Sequence, residues 1–340
     1  MIETFAATTD MHNGTAGNLS LPRPASLLGS GYEEAAPSGR HVLDARQFAR
    51  GWLEETLFPR AAALQEAGRV GLPSPLAGKR LFYLFYETST RTRVSFESAV
   101  TLLGGSVTGM EARDLTPEVE SLEDRVRVIG GYGYDFILLR YHEQGGADRA
   151  ASVSRAPLIN AGDGSGQHPT QALLDVYTLW RELGRVDGLR IALVGDLRYE
   201  RTTNSLAYLL ARFKGLKLYF VSPNALRISD SLRHYLILNG VGFEEVRDLR
   251  DVAGRVDAVY MTRAHSPRLE HAQRLDGPAG FYRLTADVMS QLSQDALVLH
   301  PLPRGAELPP ELDADRRIGC FRQAENGLYV RMALLTLLAQ

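Results

Sequence analysis

A run of hydroxyl and guanidinium side chains, Ser89-Thr90-Arg91-Thr92-Arg93, has the chemistry of an anion site. It lies between a short apolar segment and a segment of helical spacing, so it falls at a predicted helix start. Free backbone N–H groups and the positive end of the helix dipole meet at such a start. Capping of the helix by one Ser or Thr is the simpler alternative. Four consecutive donor-rich residues favour a phosphate-sized anion instead.

Further donors follow the C-terminal ends of other predicted strands, where open parallel sheets bind their ligands. They are Arg140, His168, Gln171, Arg201, Thr202, Arg263, His300 and Arg304. Each one alone is more typical of a structural histidine or of a solvated arginine. Together they indicate a cleft for a substrate that carries three or more anionic oxygens.

The elements that would position these residues alternate between short apolar strands and amphipathic helices. Predicted strands are 80–87, 136–140, 156–160, 190–196, 217–223, 257–263 and 296–303. The alternation predicts an α/β fold of two doubly wound parallel-sheet domains, with the active site in the cleft between them. We predict a flexible N-terminal extension at 1–41, domains at 42–169 and 170–322, and a C-terminal helix at 323–340 that completes the first domain.

Composition narrows the class of protein. A net charge of −2 gives no reason to expect nucleic acid or an anionic membrane as a partner. Cys320 is the only cysteine, so an internal disulfide and a multi-thiolate metal site are excluded and the cytoplasm is the expected compartment. The first residues lack the basic and apolar regions of a secretory signal, and we expect none.

Several motifs, in this order, resemble the catalytic chains of aspartate carbamoyltransferases over about residues 42–340. They are Ser89-Thr90-Arg91-Thr92, GDGSGQHPTQALLD at 162–175, VGDLRYERT at 194–202, YMTR at 260–263, HPLPR at 300–304 and NGLYVRMALL at 326–335. Ornithine carbamoyltransferases share the first motif but would show HCLP and a Ser-Met-Gly acceptor loop. This chain has HPLP and Met261-Thr262-Arg263, so its acceptor pocket resembles the aspartate type.

The resemblance implies a site for carbamoyl phosphate. Residues 89–92 would bind the phosphate. Thr92, Arg140 and His168 would donate to the carbonyl oxygen, which gains charge as an amine attacks. The NH₂ group would be bound by Gln171 and by the backbone carbonyls near Pro301 and Leu302.

The resemblance also implies a site for an amino-acid acceptor. Arg201 and Arg263 would bind two acceptor carboxylates, with Thr202 assisting and His265 beside them. Glu87 would pair across the cleft with Arg201 and with Arg268, which favours domain closure. The reaction needs no side-chain nucleophile, no cofactor and no metal, because the leaving phosphate can accept the amine's proton. A homotrimer or a multiple of trimers is implied, and regulatory or dihydroorotase chains remain open as partners.

Two stretches depart from the family pattern. In the family, a mobile loop that enters the neighbouring subunit carries a lysine, whereas ARDLTPEVESLEDR at 112–125 has none. Pro117 and Glu118 stand at that place and Arg113 is the nearby cation. A carboxylate beside bound phosphate would be repulsive, so we expect this loop not to insert in the usual way. The family's Arg-x-Gln is Arg263-Ala264-His265 here.

Three hypotheses follow for the function. The first is carbamoyl transfer to L-aspartate, giving N-carbamoyl-L-aspartate for pyrimidine synthesis, and the sequence favours it because both acceptor arginines are present. The second is the same chemistry on another amine. The third is a catalytically weak paralogue with a structural or regulatory role. A nucleotide-binding protein is disfavoured, because no P-loop or dinucleotide glycine spacing occurs.

Overall fold

Two parallel β-sheets form the framework of the residues that the computed structural model describes, which are 40–68, 72, 74–112, 120–263 and 282–340. The first sheet has the strand order β2-β1-β3-β4 and the second has the order β7-β6-β5-β8-β9. The strands are β1 (Arg80–Phe85), β2 (Ser106–Glu111), β3 (Phe136–Tyr141), β4 (Leu158–Asp163), β5 (Arg190–Val194), β6 (Lys217–Val221), β7 (Gly242–Val246), β8 (Ala258–Met261) and β9 (Leu297–Leu299). The predicted fold class is confirmed.

Helices connect successive strands, as parallel pairing requires. They are α1 (Arg50–Trp52), α2 (Phe58–Ala67), α3 (Thr90–Leu102), α4 (Leu122–Gly131), α5 (Gly146–Val153), α6 (Pro169–Leu183), α7 (Arg201–Leu210), α8 (Asp230–Leu238), α9 (Arg250–Ala253), α10 (Ala286–Gln291) and α11 (Cys320–Leu338). Short 3₁₀ turns lie at Ala45–Gln47, Asn224–Leu226 and Pro310–Leu312. No described helix is both long and apolar enough to cross a bilayer.

The first helical segment is interrupted twice. Asp44 caps a 3₁₀ turn at Ala45–Gln47 and not a continuous helix. A π-helical turn, Leu53–Leu57, then joins α1 to α2, and Pro59 is the second residue of α2. A proline ring clashes with the carbonyl four residues earlier in an α-helix, and the wider turn before Pro59 avoids that clash.

Both sheets are covered on both faces, which is why their central strands are continuous apolar runs. One buried cluster lies under α4 and α5 against the first sheet, for example Val126 with Leu139. A second lies under α9 and α10 against the second sheet, for example Val252 with Val259. The third extends through the opposite faces of both sheets and includes α6 and α11. The helix α11 begins at Cys320, three residues before the predicted start at 323, and packs against α2, α3 and α6.

Two strands, β2 and β7, have no counterpart in the predicted set. Each lies at the outer edge of its sheet. Their side chains are half-buried or exposed, and β7 contains Glu244 and Glu245. An edge strand is covered less than a central one, so its sequence lacks the apolar run that revealed the other strands.

The strand orders place a topological switch point in each sheet. In the first sheet the chain order reverses between β1 and β3, where Phe85 is paired with Arg140. In the second sheet it reverses between β5 and β8, where Val194 is paired with Met261. Loops that leave neighbouring strands in opposite directions open a crevice at such points. The loops that follow β1, β3, β5 and β8 are therefore expected to carry the binding residues.

Candidate active site

One cleft of about 1390 Å³ lies at the C-terminal ends of strands from both sheets. The described residues to which the family resemblance gives a role all line it: Glu87, Ser89, Thr90, Arg91, Thr92, Arg140, His168, Gln171, Arg201, Thr202, Arg263, Pro301 and Leu302. His265 and Arg268 lie outside the described residues. Half of loop 112–125, residues 113–119, does as well.

The start of α3 is left open toward the cleft. Ser89 occupies the N-cap position but makes no side-chain cap hydrogen bond. By contrast, Ser121, Ser229 and Thr285 each accept a backbone N–H at the starts of α4, α8 and α10. The simpler alternative, in which Ser89 only caps its helix, therefore does not describe this site. The free N–H groups and the helix dipole remain available to an anion.

Arg91 and Arg263 bring uncompensated positive charge to this cleft. Neither makes an ion pair with any carboxylate in the described part of the chain. Burial, and secondarily repulsion from Arg263, lowers the pKa of the Arg91 guanidinium. The two guanidiniums, one from each half of the chain, are thus close enough to repel each other. A bound anion between them would relieve that repulsion.

Glu87 lies between two other arginines. Its Oε2 is 3.4 Å from Arg140 Nη2 and 3.4 Å from Arg201 Nη2. Arg201 Nη1 also donates to the Gly164 carbonyl at 2.6 Å, and Arg140 Nη1 to the Ala161 carbonyl at 3.0 Å. Burial, followed by repulsion from Arg201, lowers the pKa of Arg140 to about 10, so it stays charged at neutral pH. Glu87 is thus the carboxylate that forms an ion pair with both arginines among the described residues.

His168 precedes α6 and is fixed through its backbone. Its N–H donates to Ser205 Oγ at 2.8 Å, and that hydroxyl donates to Gln167 Oε1 at 2.8 Å. The side chain is buried and Nδ1 has no described hydrogen-bond partner. Burial, with repulsion from Arg140 and two more arginines, lowers the pKa of His168 well below 6.5. The ring is therefore a neutral imidazole at neutral pH, able to donate one N–H into the cleft.

The loop at 300–303 is held by a buried pair beneath it. His300 Nε2 lies 2.9 Å from Glu307 Oε1, and the Leu302 N–H donates to His300 Nδ1 at 2.8 Å. Because Nδ1 accepts, the proton belongs on Nε2 and is donated to Glu307. His300 thus holds the 300–303 loop in place through hydrogen bonds to Glu307 and Leu302. The sequence had instead predicted it among the cationic or donor groups of the cleft.

Two predicted donors face away from the cleft. Arg93 lies 3.2 Å from Glu111 and over the ring of Tyr83. Arg304 forms a two-pronged ion pair with Asp313, with Nη2 2.6 Å from Oδ2. Their inclusion with the anion-binding groups was wrong. Both already have a carboxylate, and the two residues from Arg91 to Arg93 turn the Arg93 side chain by about 200° around α3.

Sequence reasoning missed a polar layer directly under the cleft. Asp175 is fully buried and accepts from Gln171 Nε2 at 2.8 Å. Arg331 on α11 is buried with its Nε unpartnered, and its guanidinium lies over Phe96 at 5.2 Å. Burial lowers the pKa of Arg331 to about 10. The sequence did contain a signal for the contact between Gln171 and Asp175, because polar residues four positions apart on a largely apolar helix face each other.

The cleft suits small anions and offers no metal centre in the described part of the chain, where no group of three or more His, Cys, Asp or Glu side chains converges. Its floor supplies a free helix start and a neutral imidazole, and its walls supply guanidiniums from both sheets. Two doubly wound sheets with such a cleft define the class of α/β proteins whose small-ligand sites lie at the switch points of their sheets.

Comparison with known families identifies the type of enzyme. Residues 40–181 match the aspartate/ornithine carbamoyltransferase carbamoyl-P binding domain, and residues 187–338 match the Asp/Orn binding domain. The chain belongs to the aspartate/ornithine carbamoyltransferase family, so the predicted resemblance is confirmed.

Individual relatives support this family assignment. Aspartate carbamoyltransferase 1, chloroplastic, of Pisum sativum is 47% identical over 302 residues, covering 87% of this chain and 78% of the relative. The aspartate carbamoyltransferase catalytic subunit of Methanocella arvoryzae is 42% identical over 301 residues, covering 88% and 96%. The crystal structure of aspartate transcarbamoylase from Trypanosoma cruzi with carbamoyl phosphate and aspartate superimposes with a TM-score of 0.82 at 35% identity, covering 88% and 95%.

Proposed function

We propose that this enzyme transfers the carbamoyl group of carbamoyl phosphate to the amino group of L-aspartate, giving N-carbamoyl-L-aspartate and phosphate. The observation that carries the proposal is a pair of guanidiniums, Arg91 and Arg263, that have no carboxylate partner among the described residues, beside an uncapped helix start. One phosphate and one dicarboxylate would satisfy both. The names of the relatives and the ligands of the Trypanosoma cruzi structure support aspartate as the acceptor.

Carbamoyl phosphate would lie on the side of the first sheet. Its phosphate would accept from Arg91 and from the hydroxyls and free N–H groups of residues 89–92. Its carbonyl oxygen would accept from Thr92, Arg140 and His168. A neutral His168 fits this role, because the ring donates an N–H without adding a buried charge.

The acceptor would lie on the side of the second sheet. Arg263 has no described carboxylate partner. Arg201 has Glu87, but the distance from Arg201 Nη2 to Glu87 Oε2 is 3.4 Å, which makes the ion pair weak. An acceptor carboxylate can therefore join Glu87 on Arg201 at small cost, while Glu87 keeps the guanidinium in place. Thr202 lies one residue further along α7 and lines the same wall.

The chemical step would need no covalent enzyme intermediate. The amine nitrogen forms a bond to the carbonyl carbon, the carbonyl oxygen gains negative charge, and the bond from that carbon to the phosphate oxygen then breaks. The leaving phosphate takes the proton from the amine. Fixed donors around the carbonyl oxygen stabilise the charge, and holding both reactants together supplies much of the remaining acceleration.

Phosphate release in the presence of different amines tests the proposal. We expect release from carbamoyl phosphate that depends on L-aspartate and yields one N-carbamoyl-L-aspartate per phosphate by mass spectrometry. Turnover with another amine and not with aspartate would transfer the proposal to that acceptor. Absence of turnover with every amine, despite carbamoyl phosphate binding, would favour the weak paralogue.

We also propose a homotrimer, on the strength of the family resemblance alone. Light scattering after size exclusion would then give about three times the chain mass of 37.5 kDa. For localisation we retain the cytoplasm as a proposal, supported by the single cysteine. Because plant relatives carry chloroplastic names, imaging of the tagged chain in its native cell is the appropriate test.

A further inference from the structure

We propose that Asp175 is a positioning residue that makes the site select the carbamoyl group, by forcing Gln171 to present its amide oxygen to the substrate's NH₂. The proposal deepens the proposed function and rests on it. It concerns a residue that never touches substrate, since Asp175 is fully buried one helical turn beyond Gln171 on α6.

The carboxylate of Asp175 receives three donors from three elements. Gln171 Nε2 donates to Oδ1 at 2.8 Å and Gln323 Nε2 donates to the same oxygen at 2.6 Å. The Tyr260 hydroxyl donates to Oδ2 at 2.8 Å. All three partners are themselves buried or nearly so, at 9%, 1% and 1% exposure for Gln171, Gln323 and Tyr260. The group has no route to exchange these partners for bulk water.

An amide has a donor end and an acceptor end, and its neighbours decide which way it faces. A carboxylate oxygen only accepts, so Gln171 must turn Nε2 toward Asp175. Its Oε1 is then directed away from Asp175, and no described group donates to it. Since Gln171 lines the cleft, the free acceptor is the part that a ligand meets. An acceptor there suits the NH₂ of a carbamoyl group and not a methyl group.

The same carboxylate orients a second amide in the same way. Gln323 turns Nε2 to Asp175, so its Oε1 accepts the His300 N–H at 2.9 Å. That bond fixes the start of the 300–303 loop, whose carbonyls at Pro301 and Leu302 are the other proposed partners of the carbamoyl NH₂. One buried oxygen thus sets the direction of both acceptor groups.

The arrangement tolerates a proton on Asp175. Burial raises the pKa of this carboxyl to about 7, while the donors from Gln323, Tyr260 and Gln171 oppose the shift. A proton on Oδ2 would face the Tyr260 hydroxyl, which can accept as well as donate. Oδ1 would still accept from both amides. The orientation of Gln171 therefore depends on an acceptor at this place and not on its charge.

The test compares the dissociation constants of carbamoyl phosphate, acetyl phosphate and inorganic phosphate by titration calorimetry. Acetyl phosphate replaces the NH₂ by a methyl group and keeps the rest. In Asp175→Ala, water can fill the space, but water donates as readily as it accepts, so it leaves the Gln171 amide free to turn. We expect carbamoyl phosphate to bind about tenfold more weakly, with acetyl phosphate and phosphate changed by less than about twofold.

Two further variants complete the test. Asp175→Asn retains an oxygen toward both amides and an NH₂ toward the Tyr260 hydroxyl, so it should retain the wild-type preference for carbamoyl over acetyl phosphate. Thr178→Val removes a buried hydrogen bond between the same two helices, α6 and α11, one turn further from the cleft, and should also retain it. If Asp175→Ala does not fold, Asp175→Ser takes its place, because a hydroxyl is likewise both donor and acceptor.

The results distinguish this inference from the proposed function. If wild-type protein shows no preference for carbamoyl phosphate and no turnover, the proposed function fails. If wild type shows both and Asp175→Ala keeps the full preference, the inference about Asp175 is overturned while the function stands. Equal loss in Asp175→Asn and Asp175→Ala would overturn it too, because charge and not the direction of acceptance would then be the cause.

Discussion

The Glu87 carboxylate lies 3.4 Å from the Arg201 guanidinium, so the loop after β1 contacts the first residue of α7 directly. The side chains are 35% and 15% exposed, which leaves the pair only partly screened by solvent. Each residue comes from a different sheet's switch point. This ion pair therefore joins the two walls of the cleft directly.

Glu87→Gln is expected to raise the KM for aspartate about fivefold, since ion pairs of this exposure are worth up to about 1 kcal/mol. Carbamoyl phosphate binding should change little, because Arg140 keeps its bond to the Ala161 carbonyl. Steady-state kinetics with both substrates varied gives the measurement. Glu325→Gln, a cleft-lining carboxylate without a described ion pair, controls for the loss of charge. Equal effects of the two variants would contradict a specific role for the Glu87–Arg201 contact.

Arg91→Ala is expected to weaken carbamoyl phosphate binding by about a hundredfold, since hydrogen bonds to charged groups are worth up to about 3 kcal/mol. Calorimetric titration with carbamoyl phosphate and with inorganic phosphate checks this. Arg93→Ala is the matched control, because Arg93 is two residues away on the same helix and faces Glu111. The anion site is misassigned if Arg93→Ala weakens phosphate binding as much as Arg91→Ala.

His168→Ala is expected to lower kcat by about 10²–10³, the usual effect of losing one donor to a developing oxyanion. The pKa of His168 lies well below 6.5, so the ring stays neutral throughout pH 6–8. The ratio of wild-type to variant kcat should therefore be constant over that range, since titrations of the substrates cancel in the ratio. A ratio that falls steadily from pH 8 to pH 6 would show that the ring gains a proton there, contrary to its buried, cationic surroundings.

Asp175 should make the stability of the protein depend on pH. Its folded-state pKa of about 7 lies above the ordinary value of 3.8, so the folded state binds the extra proton between these values. The resulting stabilisation is complete below pH 4 and is lost as pH rises through 7, at a rate of up to about 1.4 kcal/mol per pH unit.

Urea midpoints at pH 5, 6 and 7 measure this effect. Relative to Asp175→Asn, wild type should lose stability as pH rises across the series. Thr178→Val, which lacks a titratable change, should differ from wild type by a constant amount. A wild-type advantage over Asp175→Asn that grows with pH would reverse the sign and refute the raised pKa.

Gly162→Ala is expected to disturb the acceptor arginine. Gly162 has φ +115°, and a Cβ there would lie 2.7 Å from Arg201 Nε and 3.0 Å from Arg140 Nη1. We expect the aspartate KM to rise at least tenfold, beside a stability loss of about 1–3 kcal/mol. Gly184 has φ +69° and no atom within 4 Å of a Cβ placed there. Gly184→Ala should therefore lower stability through backbone strain alone and leave the kinetics unchanged. Similar kinetics in both variants would mean that Arg201 moves aside without consequence.

The central strands and the positions of the chemical motifs were readable from the sequence. A strand buried on both faces must be apolar throughout, and β1, β3, β5 and β8 show this pattern. Parallel strands end at one edge, so polar residues directly after them could be assigned to a common site. The edge strands β2 and β7 could not be predicted, because half-exposed strands tolerate glutamate and glycine.

Only the tertiary structure decided which polar side chains face the cleft. Arg91 and Arg93 have the same chemistry and differ by two positions, yet Arg91 pairs with no described carboxylate and Arg93 pairs with Glu111. Likewise, the sequences of α6 and α11 do not reveal that Asp175 Oδ1 accepts hydrogen bonds from both Gln171 and Gln323. Local spacing fixes the side of an element on which a residue lies. Hydrogen-bond partners and burial depend also on residues from other elements, such as Glu111 for Arg93 and, 148 positions away, Gln323 for Asp175. Only the folded chain brings those together.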